Sequence, residues 1–146
     1  MFAGLLAFSG CTSLVLTPVD YSWLVESRLT TNSDGLIQGE PRSFQCNMKG
    51  LFLEEQGPDG QANWANRTVN IIRDREGYYY ITSSGFKHVY VFKSSAGELV
   101  LINKVQISTG GMDSPYFNFR AEGIELNDSG QEFLLNKSGR IAGGSR

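Results

Sequence analysis

Tyr78-Tyr79-Tyr80-Ile81-Thr82-Ser83-Ser84-Gly85-Phe86-Lys87-His88-Val89-Tyr90-Val91-Phe92-Lys93-Ser94-Ser95-Ala96-Gly97-Glu98-Leu99 is the stretch on which the fold class turns. Two runs rich in aromatic and β-branched residues, 78–83 and 86–93, are separated by Ser84-Gly85, and a third opens after Gly97. Such side chains suit a half-buried pleated surface. A small polar triplet followed by glycine supplies the left-handed residue that short hairpin loops require. The alternation has period two, with Phe86, His88, Tyr90 and Phe92 on one face and Lys87, Val89, Val91 and Lys93 on the other. Together these features predict consecutive antiparallel hairpins.

The same device recurs outward from this stretch. Asp74-Arg75-Glu76-Gly77, Asn127-Asp128-Ser129-Gly130 and Asn136-Lys137-Ser138-Gly139 delimit strands at Thr68–Arg73, Tyr116–Ala121, Ile124–Asn127 and Gln131–Asn136. In the run Glu98–Ser108, Leu99, Leu101, Val105 and Ile107 share a face interrupted only by Asn103. Toward the amino terminus, Asn32-Ser33-Asp34-Gly35 is a turn signal. Ser43–Glu54 reads as a strand with a bulge at Gly50. Thr109-Gly110-Gly111-Met112 reads as a flexible loop. Strands every ~8–12 residues, with turn signals between them, predict an all-β fold. The expected architecture is an antiparallel meander forming a small β-barrel or β-sandwich of about eight strands. No segment shows a sustained helical period with caps, so little helix is expected. Composition agrees: 17 glycines in 146 residues are about 12%, against a typical ~7%. A net charge of −2 provides no basic field, which excludes nucleic acid as a partner.

The first charged side chain is Asp20. Before it, Phe2-Ala3-Gly4-Leu5-Leu6-Ala7-Phe8 is apolar and leads into the small residues Ser9-Gly10 and then Cys11, the arrangement of an export signal. Phe8-Ser9-Gly10-Cys11 resembles the lipobox of bacterial lipoproteins, with Phe8 where that family prefers leucine and with the basic n-region missing. The resemblance implies cleavage between Gly10 and Cys11, acylation of Cys11 and anchoring to a lipid bilayer without a spanning helix. On this reading residues 1–10 are a signal peptide whose start lies upstream of Met1, 11–20 a lipidated tether, 21–141 one β domain and 142–146 a disordered tail. Thr12, where retained lipoproteins carry Asp, implies the outer membrane facing the periplasm. The second cysteine, Cys46, alternates with polar neighbours in Ser43–Lys49 and is expected to be buried. The rival reading pairs Cys11 with Cys46 in a secreted, unlipidated protein.

A second local resemblance is narrower. Val89–Leu99 is similar to the strand–turn–strand of a quinoprotein-type propeller blade, but no second copy recurs at a fixed period. It implies a hairpin and no more.

The chain contains no nucleotide-binding or nucleophile-elbow motif and no metal-ligand spacing, so no cofactor and no metal are expected. His88 is the only histidine, and its neighbours Phe86, Tyr90 and Phe92 favour a buried or rim position bonded to backbone. Glu54, Glu55, Glu122 and Glu125 read as solvated strand edges. Tyr78 and Tyr80 face one way and Tyr79 the other, so one set can be core and the other exposed; the alternative reading is that tyrosine suits a half-buried strand by β-propensity. Trp64, Tyr78, Tyr80, His88 and Tyr90 are the candidate binding surface for a glycan, a peptide or an envelope protein. Three functions are therefore carried forward. The first is a non-enzymatic lipoprotein serving binding or envelope assembly. The second is a lipocalin-like carrier with an apolar cavity. The third is an enzyme, which requires His88 in a cleft within reach of a carboxylate.

Overall fold

The computed structural model describes residues 25–38, 45–56, 63–96 and 98–141. The expected signal peptide, lipidated tether and tail therefore lie outside the described residues. In chain order the elements are β1 (Ser27–Thr30), β2 (Leu36–Gln38), β3 (Gln45–Asn47), α1 (Lys49–Gln56), β4 (Thr68–Arg73) and β5 (Tyr79–Ser83). They continue as β6 (His88–Ser95), β7 (Glu98–Gln106), β8 (Tyr116–Phe119), β9 (Ile124–Asp128), β10 (Gln131–Asn136) and β11 (Gly139–Arg140). All pairings are antiparallel, in a sheet ordered β1-β4-β5-β6-β7, a second ordered β11-β10-β9-β8 and a separate β2-β3 pair. The fold is all-β, a layered meander not closed into a barrel. The two large sheets touch at both flanks. Val25 bridges to Asn118 of β8, and Asn103 Nδ2 of β7 donates to the Lys137 carbonyl at 3.3 Å.

The turns form where their chemistry is local. Asp74 Oδ1 accepts the backbone N–H groups of Glu76 and Tyr78, both at 2.9 Å, and Gly77 takes φ +90° to close the β4–β5 hairpin. Asn32 Oδ1 does the same for Asp34 and Leu36, at 2.8 and 3.0 Å.

Strand β5 is buried along its whole length, because both faces of the five-stranded sheet are covered. Ile71, Ile81 and Tyr90 stand opposite one another on one face, and Ile72, Tyr80 and Val91 on the other. On the first face, Phe52 of α1 meets Phe86 edge-on at 5.0 Å, and Phe86 meets Tyr90 at 5.9 Å. Ile37, Cys46, Met48 and Leu51 are buried in the same core. Phe117, Ile124, Leu126 and Leu135 of the second sheet complete it. Each large apolar side chain so buried contributes about 1.5–3 kcal/mol. The expectation that either Tyr79 or Tyr80 would be exposed is thereby corrected: both are 0% exposed.

Two further corrections follow from packing. The strand expected over Ser43–Glu54 is the short β3 followed by α1. Asn47 Oδ1 accepts the Lys49 N–H at 2.9 Å, and the Met48 carbonyl accepts from Leu51 and Phe52 at 3.0 and 3.3 Å, which starts a helical turn at Gly50 instead of a bulge. The bulge lies in the β6–β7 ladder, where Val91 pairs with Asn103 but Phe92 pairs with Leu101. Ile102 is the extra residue and is 44% exposed. Leu99 and Leu101 consequently share the α1 side with Phe92, while Asn103 and Val105 lie on the opposite face.

Candidate functional site

The five candidate surface residues do not converge. Tyr80 and Tyr90 are 0% exposed and offer no face to solvent. Tyr80 donates its hydroxyl to Asp74 Oδ2 at 2.8 Å, and burial, then Asp74, push its phenol well above the ordinary tyrosine range. Tyr78 is half-buried beneath the Lys137 ammonium, 5.2 Å from its ring centroid. Trp64 is half-buried against the 33–35 turn, with its indole N–H donating to the Ser33 carbonyl at 3.2 Å and Lys49 above its ring. Only His88 and Tyr90 come together, with ring centroids 6.1 Å apart.

What joins them is Glu55 of α1. Its Oε2 lies 2.7 Å from His88 Nδ1 and accepts the Tyr90 hydroxyl at 2.6 Å, while its Oε1 accepts the Lys87 N–H at 2.7 Å. The Glu55 side chain is 4% exposed and that of His88 20%. Glu55 is thus a buried anchor and not a solvated edge, and His88 is held by a carboxylate instead of by backbone. Burial, followed by the hydrogen bond to Glu55, pushes the Tyr90 phenol well above its ordinary range. A carboxylate-oriented histidine is also a part of general-base sites; His88 lines neither the cleft at the junction of the two large sheets nor the smaller one beside Phe119. The arrangement pins α1 to β6. Glu125 is likewise networked: burial opposes its ionisation, yet hydrogen bonds from Arg120, Asn127 and Asn118 at 2.8, 2.9 and 3.2 Å hold its carboxyl below the usual range.

A cleft lies elsewhere, at the junction of the two big sheets. It opens to solvent, has a volume of about 480 Å³ and is lined by Arg28, Asn70, Ser84, Asp113, Tyr116 and Ser129 among others, within the size range of ligand sites. Its walls are fixed from both sides. Buried Glu26, with a side chain 7% exposed, accepts the Phe117 N–H at 2.8 Å, Asn70 Nδ2 at 3.2 Å and Arg28 Nε at 2.5 Å. Asp128 Oδ1 accepts the N–H groups of Asp113 and Ser114, both at 2.9 Å. Ser84 Oγ donates to the Asp113 carbonyl at 2.7 Å, and Asn70 Nδ2 to that of Pro115 at 3.2 Å. Met112 and the 85–86 turn exchange two backbone bonds of 2.7 Å. The approach is close enough to require Gly111, whose φ is +98° and whose added Cβ would lie 2.8 Å from the Gly85 oxygen. The Gly110–Gly111 loop is therefore held against the 85–86 turn and is not the flexible connection expected. Against this framework, the Nη atoms of Arg28, the Asp113 carboxylate and the Tyr116 hydroxyl take no hydrogen-bond partner among the described residues, and Tyr116 is 40% exposed.

Sequence reasoning missed this cleft because its lining comes from separate parts of the chain. A smaller cleft of about 260 Å³ is lined by Asp74, Arg75, Phe119, Arg120 and Glu122 among others, and there Arg75 covers the Phe119 ring at 5.5 Å. Among the described residues no group of His, Cys, Asp or Glu could hold a metal ion, and no helix is long and apolar enough to cross a membrane. Cys46 is 0% exposed and disulfide-bonded. Cys11, the only other cysteine in the sequence, lies outside the described residues. The chain matches no known family model, and no curated protein or solved structure resembles it significantly.

Proposed function

We propose that this chain is an exported, non-enzymatic recognition module of the cell envelope that holds its partner in the cleft between the two large sheets. The observation carrying this reading is the contrast inside that cleft. Its frame is held by a network of hydrogen bonds, while Arg28, Asp113 and Tyr116 present polar atoms that take no partner among the described residues. Recognition sites place a few oriented polar groups on a rigid support in this way. The lining contains no histidine or cysteine to serve as base or nucleophile. The lipocalin-like alternative needs a closed barrel, and the open sheets lend it no support.

Export is supported by the oxidised state of Cys46, since structural disulfides persist in oxidising compartments. Two addresses compete for one sulfur. In the lipid-anchored form, acylated Cys11 moors the domain to the outer membrane on its periplasmic side. In the secreted form, favoured by the disulfide at Cys46, Cys11 closes onto Cys46. Intact mass of the mature protein purified from its host separates them, through loss of residues 1–10 with added acyl mass or through loss of two hydrogens. A reduced, unprocessed chain would remove export altogether. For recognition, hydrogen exchange is measured with and without solubilised envelope material. The reading expects protection at 113–116 and 128–131, and unchanged exchange there overturns it.

A further inference from the structure

We infer that the inter-sheet cleft takes a neutral saccharide, which deepens the recognition reading above and rests on it. A sugar ring has an apolar C–H face and an edge of hydroxyl pairs, each hydroxyl both donor and acceptor. Its binding site therefore needs one exposed aromatic ring and planar polar groups with two atoms side by side. The cleft supplies each of these. Tyr116, 40% exposed, is the aromatic surface at its wall. Arg28 offers two guanidinium nitrogens as paired donors, its Nε being tied to Glu26 so that the plane is already oriented. Asp113 offers two carboxylate oxygens as paired acceptors, on a segment whose N–H is held by Asp128 and whose carbonyl is held by Ser84. Asn70 Oδ1 and Ser84 Oγ remain as further acceptors, because among the described residues Asn70 bonds through Nδ2 and Ser84 through its hydroxyl hydrogen, both as donors.

The charge balance argues for a neutral ligand. Arg28 is already neutralised by Glu26 at 2.5 Å, so an anion would meet a satisfied cation and the unpaired Asp113 carboxylate. A cationic ligand would meet the Asp113 carboxylate alone, the one acidic side chain in the lining. A ligand with hydroxyl pairs satisfies both groups without bringing in a charge. Because the frame is fixed before the ligand arrives, little ordering free energy is spent on binding.

The test is a titration of the oxidised protein, followed by amide and Tyr ring NMR shifts, with cellotriose and with chitotriose as probes. The expected result is saturable movement of resonances from Ser84, Asp113, Tyr116 and Ser129 below about 10 mM sugar. Affinity should fall by about tenfold or more in Tyr116→Ala and in Asp113→Asn, two changes at exposed positions whose folding is checked by the unchanged remainder of the spectrum. Three results would overturn the proposal: no movement with either probe, movement confined to other residues, or undiminished binding by Tyr116→Ala. Protection of the same cleft by envelope material, with no response to either sugar, would remove the saccharide and leave the recognition reading standing with an envelope protein as partner.

Discussion

Replacing Glu26 by alanine tests the frame of the cleft. The Glu26 carboxylate is 7% exposed and collects donors from three places. Without it the Phe117 N–H, on a strand residue 2% exposed, loses its acceptor at 2.8 Å. A buried donor left unsatisfied costs about 1–3 kcal/mol. Asn70 keeps its bond to the Pro115 carbonyl, so losing the carboxylate costs it about 1 kcal/mol. Arg28, with a side chain 60% exposed, is rehydrated and adds on the order of 0.5 kcal/mol or less. The expected total is about 3 kcal/mol, a fall in Tm of roughly 6–12 °C for a domain of this size. Urea denaturation followed by circular dichroism reads it directly, with the m-value unchanged. Arg28→Ala is the control and should shift stability by less than about 0.5 kcal/mol. Equal effects of the two substitutions would refute the reasoning, because the cost would then belong to the exposed ion pair and not to the buried donor. So would a Glu26→Ala protein within about 0.5 kcal/mol of the parent.

Four other outcomes follow from the same structure. Glu55→Ala, which strips acceptors from the Lys87 N–H and the buried Tyr90 hydroxyl, should cost about 2–4 kcal/mol in urea melts, and Glu55→Gln about half of that; equal costs would mean that the carboxylate charge, absent from both variants, carries the effect and that the acceptor and volume kept by Gln carry none. Gly111→Ala should cost more than Gly130→Ala. Both carry positive φ, but only the former meets a backbone oxygen, at 2.8 Å, whereas nothing lies within 4 Å of the latter; strain alone accounts for about 1–2 kcal/mol, and thermal melts giving the reverse order would contradict the loop packing. Burial raises the phenol pKa of Tyr79, Tyr80 and Tyr90, so their stabilising contribution is complete below the unfolded value near ~10 and is lost as pH rises beyond it; absorbance at 295 nm should show these three ionising only together with unfolding. The lowered carboxyl of Glu125 has the opposite sign: its contribution is present above the unfolded value near ~4.3 and is lost as pH falls through the folded one, so Glu125→Gln should flatten the acid limb of stability against pH, and an unchanged limb would show the network to be inert.

The hairpins were legible in the sequence because their determinants are local. Asp74, four residues before Tyr78, accepts both turn amides by itself, and the alternation from Phe86 to Phe92 needs no distant information. Helix α1 was hidden for the opposite reason. Its inward stripe includes Glu55, and a carboxylate counts as polar in any periodicity until Lys87 and the β6 residues His88 and Tyr90, more than thirty residues further along, are seen to surround it. The bulge at Ile102 was equally invisible, since it exists only relative to the register of β6. The aromatic residues singled out from sequence are mostly core, because β5 is covered on both faces and alternation cannot distinguish one covered face from two. The cleft left no signal at all. Arg28, Asn70, Asp113 and Tyr116 are ordinary residues in three separate segments, and lone Glu26 and Asp128 show their purpose only through the amides they hold.

A crystal structure of the oxidised protein grown with saturating cellotriose tests the central claim most directly. The account predicts a sugar ring against the Tyr116 side chain, hydroxyl pairs on Arg28 and Asp113, and a 113–116 segment that keeps its bonds to Asp128 and Ser84. A sugar bound at another face, or a 113–116 segment that must abandon Asp128 to admit it, would contradict the picture of a recognition cleft built in advance of its ligand.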